Sequence, residues 1–345
     1  MPESSSASLM PERPTIEQVL ATAVPFALPL RRVFRGIDVR EGVLIEGPSG
    51  WGEFAPFDDY SEHASARWLA SALEAAYGSW PEVRRDRIAV NAIVPAVPEP
   101  EADLLTRTAV LEQGCRTIKV KVGSGDRHDD LSRVRAVRTA LDDLLGAGIG
   151  QIRIDANGAW SVDEATSVLQ ALAPLGLEYV EQPCRSASEL RELRSRIEVP
   201  IAVDETIRQS AGPVASVADF ADVAILKPAP LGGVAATLAQ AELLDVPVVV
   251  SGSLDSSVGL ATALAAAAAL PGLDRACGLG TGALLAADVC APLEPSEGTL
   301  PVVRRLPDVA MLDAARDRVG PERREAWRER LVASWHALER ERVLP

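Results

Sequence analysis

From about residue 88 to residue 281, short runs rich in valine and isoleucine alternate with segments whose apolar positions recur every three or four residues. Compact apolar runs of this length fit strands buried on both faces, and the longer spacing fits amphipathic helices, so the stretch reads as repeated βα units. Strands are expected at "IAVNAIV", "TIKVKV", "QIRIDA", "LEYVEQ", "IAVDE", "VAILKP", "VPVVVSG" and "CGLGT". Helices are expected near 101–113, 129–144, 163–174, 187–196, 213–219, 233–244 and 257–269. One begins with Ser161 three residues ahead of Glu164, the spacing of a capping box. Eight parallel strands with helices between them most simply close into a barrel.

The flanks follow other rules. Residues 15–57 alternate in segments broken by Gly and Pro, which predicts antiparallel strands, and "SEHASARWLASALEAAYG" then has helical spacing. The C-terminal "PERREAWRERLVASWHALERER" places its tryptophans on one stripe and its arginines elsewhere, as a surface helix packed on the first unit would. The expected division is a small α+β domain over 1–87, a barrel over 88–285 and a returning segment over 286–345. The fold class is α/β, a modified TIM-type (β/α) barrel with an α+β domain beside it.

A formal net charge of -14 opposes approach to phosphate backbones and anionic lipid, so neither nucleic acid nor membrane is expected as a partner. The apolar run "VGLATALAAAAAL" falls short of the roughly 20 residues needed to span a bilayer, and the N-terminus shows no signal-peptide pattern. Cys115, Cys184, Cys277 and Cys290 lie far apart without a CxxC pair, as reduced thiols of a cytoplasmic protein would.

Chemistry enters with "KVK". On a strand, Ile118, Val120 and Val122 share one face while Lys119 and Lys121 share the other. Alternating lysines also mark exposed edge strands. The next three strands tip the balance inward, because each ends in an acid: Asp155, Glu181 and Asp204, spaced 26 and 23 residues apart, about one βα unit each. A single such acid is commonly a helix N-cap. Three in phase would crowd a barrel mouth with carboxylates that need raised pKa values or a bound cation. Hard oxygen donors without matching histidine or thiolate favour Mg²⁺, with coordination positions left for water and a substrate carboxylate. Lys227 ends the following strand, 23 residues on and in the same phase.

These residues resemble the enolase superfamily, in its muconate lactonizing branch: "KVK" on strand two, "DAN", "EQP" and "DE" on strands three to five, "KP" on strand six, and "GWGEFAPF" in an N-terminal capping domain. The resemblance implies abstraction of a proton beside a carboxylate, with Mg²⁺ stabilising the enediolate. It makes Asp155, Glu181 and Asp204 the metal ligands and Lys121 the base, flanked by Lys119 and faced by Lys227. A free lysine holds its proton at neutral pH, and burial beside a second cation is what brings it toward the useful range.

Within the branch the chain is most similar to the o-succinylbenzoate synthase family, in its actinobacterial form. That likeness implies dehydration of 2-succinyl-6-hydroxy-2,4-cyclohexadiene-1-carboxylate in menaquinone biosynthesis, Lys121 serving in both steps. It also makes Ser251, Gly252 and Ser253 of "VSGSLDSSVGL" a loop for the succinyl carboxylate, offering small side chains and backbone N–H groups. Asn157 is implied as a polar neighbour of metal or substrate, and Asp255 reads as a helix N-cap. Arg31 or Arg32 could meet a substrate carboxylate, although surface arginines on a hairpin are commoner. Two other functions stay open: an N-acylamino acid racemase or related epimerase, since a lysine on each face suits two-base chemistry, and a noncatalytic metal-dependent carboxylate-binding protein. "GLGTG" lacks dinucleotide-loop spacing, and none of the three histidines adjoins a nucleophile.

Overall fold

The computed structural model describes residues 13–34, 36–210, 212–214 and 216–343. The N-terminal stretch read above for a signal peptide lies mostly outside them. Among the described residues no helix is long and apolar enough to cross a membrane.

The chain opens with helix α1 (Ile16–Thr22), which the sequence reading took as strand. Thr15 and Gln18 form a complete capping box there, and that local signal outweighs the alternation around it. Strands β1 (Ala23–Phe34), β2 (Ile37–Gly47) and β3 (Gly50–Phe54) then make an antiparallel meander covered on one face by α2 (Glu62–Tyr77). Its core joins Val43, Ile45 and Phe54 to Trp68 and Leu69, and is completed by Trp327 and Leu331 of the C-terminal helix.

After the short β4 (Arg87–Ala89) come the parallel strands β5 (Ala92–Val94), β6 (Thr117–Lys121), β7 (Gln151–Asp155), β8 (Leu177–Glu181), β9 (Ile201–Val203), β10 (Val223–Leu226) and β11 (Val248–Val250), hydrogen-bonded in chain order. The connecting helices are α3 (Glu99–Leu111), α4 (Arg127–Leu145), α5 (Val162–Leu172), α6 (Ala187–Arg194), α7 (Glu205–Arg208), α8 (Pro228–Leu231), α9 (Val234–Leu243) and α10 (Leu260–Ala269). Ser161 and Glu164 make the expected capping box at α5.

The expected eighth strand, "CGLGT", is reduced to two parallel bridges, Val90 to Cys277 and Ser251 to Gly278. They still close the ring: Cys277 N–H donates to Ala89 O at 2.7 Å, and Gly278 N–H donates to Val250 O at 2.8 Å. The expected helix at 213–219 is absent among the described residues. The Asp245 carboxylate instead accepts from Val217 N–H and Ala218 N–H, holding the backbone in turns.

The rest of the chain returns to both units. β12 (Thr299–Pro301) pairs antiparallel with β4. Of the last helices, α11 (Val309–Asp317) and α12 (Pro321–Val343), α12 supplies the apolar residues that complete the α2 core. All four cysteines are buried and unpaired.

Candidate active site

Register builds the site. β6 pairs with β7 so that Lys119 stands opposite Arg153 and Lys121 opposite Asp155, and β8 places Glu181 opposite Asp155. Ile118, Val120 and Val122 are buried in the core that includes Val134, Val137 and Leu141 of α4, so the apolar face of β6 meets the helices. Both lysines therefore turn into the barrel mouth. Asp204 follows β9 and Lys227 follows β10, each one residue past its strand.

The mouth is a chain of buried ion pairs. Lys119 Nζ donates to Glu181 Oε1 at 2.7 Å and lies 2.8 Å from Asp155 Oδ2. Lys121 Nζ donates to Asp155 Oδ2 at 2.6 Å and to Asn157 Oδ1 at 2.8 Å. Across the mouth, Lys227 Nζ donates to Asp204 Oδ2 at 2.6 Å, while Arg208 Nε donates to Asp204 Oδ1 at 3.2 Å. The two catalytic-candidate lysines of β6 differ. Burial pushes both ammonium groups down, but Asp155 and Glu181 outweigh it at Lys119 and hold that proton firmly. At Lys121 burial prevails, helped by the positive charge of Lys119, and its pKa falls below the ordinary lysine value.

The carboxylates divide similarly. Burial alone would raise both aspartates, yet Lys119 and Lys121 hold Asp155 well below the usual range, and Lys227 with Arg208 lowers Asp204. Glu181 is raised to about 7, by burial first and then by the charge of Asp155. Such crowding of hard oxygens is what a divalent cation relieves, so the donor set fits Mg²⁺. Among the described residues no three Asp, Glu, His or Cys side chains close around one point of ion size. The ammonium groups hold the carboxylates instead.

The remaining expectations fare unevenly. Asn157, with a left-handed φ of 48°, touches Lys121 and donates from Nδ2 to Glu205 at 3.2 Å, which makes it a polar neighbour of Lys121. Ser251 and Ser253 line a small cavity, and Gly252 between them packs against Asp255 so closely that a Cβ there would lie 2.8 Å from its Oδ2. Their N–H groups are already engaged: Ser251 N–H to Leu226 O, Gly252 N–H to Gly278 O, and Ser253 N–H to Asp255 Oδ2 at 2.8 Å. These three donors therefore do not form the expected backbone N–H cradle: pairing with β10 takes Ser251 N–H, the ring-closing segment takes Gly252 N–H, and the Asp255 side chain takes Ser253 N–H. Asp255 is not a helix N-cap, since Gly259 occupies that position at α10. Arg32 pairs with Glu101 at the start of α3.

Two sequence families match: Enolase N-terminal domain-like over residues 25–76 and Enolase C-terminal domain-like over residues 102–307. The o-succinylbenzoate synthase of Mycobacterium marinum is 50% identical over 337 residues, covering 96% of this chain and 99% of that protein. That of Mycobacterium tuberculosis is 48% identical over 335 residues, covering 96% and 98%. The chain belongs to the o-succinylbenzoate synthase family of the enolase superfamily. Among solved structures, muconate lactonizing enzyme from Pseudomonas fluorescens complexed with muconolactone shares the fold, with a TM-score of 0.71 at 20% identity over 85% of this chain and 97% of that one. The L-Ala-D/L-Glu epimerase of Bacillus subtilis does so with a TM-score of 0.66 at 22% identity, over 83% and 96%.

In this family member several site neighbours escaped the sequence reading. Gln182, inside "EQP", accepts from Asp204 N–H at 3.1 Å and donates to Thr206 Oγ1 at 2.9 Å, fixing the turn that carries Asp204. Arg208 stands four residues after Asp204, a helical spacing that could have revealed the pair. It also donates to Tyr60 Oη of the small domain at 2.5 Å. Phe34, at the end of β1, holds its ring centroid 5.5 Å from Lys121 Nζ. Neither Tyr60 nor Phe34 carries a local sequence signal, since both reach the site from another domain.

Proposed function

We infer that this chain is an o-succinylbenzoate synthase, dehydrating 2-succinyl-6-hydroxy-2,4-cyclohexadiene-1-carboxylate to 2-succinylbenzoate in menaquinone biosynthesis, with Lys121 as the base. The observation that carries the assignment of roles is the split between two lysines on one strand: Lys119 lies between Asp155 and Glu181, at 2.8 and 2.7 Å, whereas Lys121 shares Asp155 with it at 2.6 Å and has its pKa lowered by burial. Relatives 48 to 50% identical over nearly the whole chain support the reaction.

Asp155, Glu181 and Asp204 would hold Mg²⁺, which when bound would offset the negative charge that builds on the substrate carboxylate as its α proton leaves. Lys121 takes that proton at Nζ from the adjacent carbon. Lys119, held by Asp155 and Glu181, keeps its charge and supplies a fixed positive field beside the reacting carboxylate. The protonated Lys121 then gives its proton to the departing hydroxyl group, which leaves as water, and the ring becomes aromatic. Proton and base are restored together, so the cycle needs no second proton donor. Lys227, anchored by Asp204 on the other side, sets a cation against the ring. Asn157 steadies Lys121, and Phe34 shields it from water. Ser251, Gly252 and Ser253 form the wall for the succinyl tail. The substrate is a small carboxylate, and the buried free thiols suit a cytoplasmic enzyme.

Ultraviolet absorbance tests the assignment. Aromatic product should form from the cyclohexadiene carboxylate with Mg²⁺, stop on chelation and resume on readdition. Absence of product while N-succinylamino acids racemise would replace the dehydratase by the racemase, and failure of both would leave a binding protein.

A further inference from the structure

We propose that Glu53 of the small domain is a positioning residue that, together with Arg40, holds the loop after β11 in place and thereby sets how tightly the enzyme takes the succinyl tail of its substrate. The proposal rests on the dehydratase reading above and adds a residue that does not touch the reacting atoms.

The loop from Ser251 to Gly259 is gripped across the domain seam at two points. Arg40 Nε, on β2, donates to Leu254 O at 3.1 Å, and Leu254 sits at a left-handed φ of 62° that a leucine does not adopt unaided. Glu53, on β3, accepts from Ser256 N–H at 3.0 Å and from Ser256 Oγ–H at 2.5 Å. Ser256 Oγ in turn accepts from Gly259 N–H at 3.2 Å, where α10 begins. The fit is close: a Cβ on Gly259 would lie 2.5 Å from Glu53 Cδ. Between the two grips, Asp255 accepts from Ser253 N–H. Movement of Glu53 is thus passed through Ser256 and Asp255 to Ser253.

Glu53 also walls the space that this loop encloses. A small cavity is bounded by Glu53, Asp255, Ser251 and Ser253, and by Pro228 and Ala229, which directly follow Lys227. The cavity has room for about one water, so a succinyl carboxylate would lie beside it rather than in it, near two acids whose neutral forms repel it less. Burial raises Glu53 to about 8, with Asp255 pushing the same way and Arg40 opposing, and burial raises Asp255 against the pull of Arg40 and Lys227. Affinity for the tail should therefore weaken as Glu53 ionises.

Calorimetry of 2-succinylbenzoate binding to the Mg²⁺-loaded full chain, paired with kcat and KM, tests this. Glu53→Ala should weaken binding and raise KM about tenfold, with kcat changed less than about threefold, as expected for lost loop anchoring. Glu53→Gln, which keeps an acceptor for Ser256 and cannot ionise, should recover most of the affinity. It should also lose the weakening that the wild type shows as pH passes about 8. Ser256→Ala should reproduce the KM effect, and adding it to Glu53→Ala should change little more. Equal affinity in wild type, Glu53→Ala and Ser256→Ala would overturn the proposal while leaving the dehydratase reading intact. If Glu53→Ala does not fold, Ser256→Ala alone decides in the same sense. A wild type that binds no 2-succinylbenzoate overturns the dehydratase reading and this proposal with it.

Discussion

Asp155 and Asp204, at strand ends in the barrel mouth, each contact two cationic side chains. Glu53 and Asp255, at the seam between domains, are also buried but are held by hydroxyl and backbone N–H donors. Burial costs a carboxylate dearly in either place, and the two regions meet that cost differently. In the mouth, opposite charges keep the aspartates ionised. At the seam, the same desolvation with Arg40 as the nearby counter-charge moves the acids toward their neutral forms. A charged mouth keeps its carboxylates ionised beside fixed ammonium groups. A seam whose acids are shifted toward neutrality repels a nearby anion less.

Breaking the mouth should have the largest effect on stability. Asp204→Ala leaves Lys227 and Arg208 buried without their shared carboxylate, and a loss of about 3 to 5 kcal/mol is expected in urea unfolding. Replacing Ser256 at the seam removes one hydroxyl donor and should cost nearer about 1 kcal/mol in the same measurement.

The pH dependence separates the regions by sign. Asp155 has its folded pKa depressed, so its contribution is present above the ordinary value of 3.8 and disappears as acid drives pH well below it. Glu53 has its folded pKa raised from 4.5 to about 8, so its contribution is complete below 4.5 and is lost as pH rises toward 8. Glu181, raised to about 7, behaves like the seam although it stands in the mouth. Unfolding curves collected across this range should show a downward slope between pH 5 and 8 that Glu53→Gln makes shallower. An unchanged slope in that variant would place the titration elsewhere.

How far the sequence could be read follows the same line. The mouth was legible because its residues recur in phase at successive strand ends, and strand periodicity forces Lys119 and Lys121 to one face. The seam was illegible because its contacts join β2 and β3 to residues some 200 positions later, for example Glu53 with Ser256. Asp255 was misread for a local reason: an Asp before a helical run satisfies the N-cap rule, but the helix starts five residues further on and the side chain folds back to Ser253. The eighth strand failed through shortness rather than through position. The segment lies where expected, but two bridges suffice to close the ring.

The smallest effect is expected where the two regions are joined. Tyr60→Phe removes the hydroxyl that Arg208 donates to, and should reduce stability by about 0.5 kcal/mol in urea unfolding. Because Arg208 keeps its bonds to Asp204 and Glu205, Mg²⁺ affinity should shift less than in any variant of the acids themselves.

The account stands most directly on the turnover of Lys121→Ala, measured by aromatic absorbance with saturating Mg²⁺ and substrate. A kcat reduced by about 10² to 10⁴, with 2-succinylbenzoate still bound at near wild-type affinity, is the expected result for a lost general base. A variant that retains wild-type kcat would contradict the assignment of Lys121 and, with it, the chemical meaning of the paired lysines on β6.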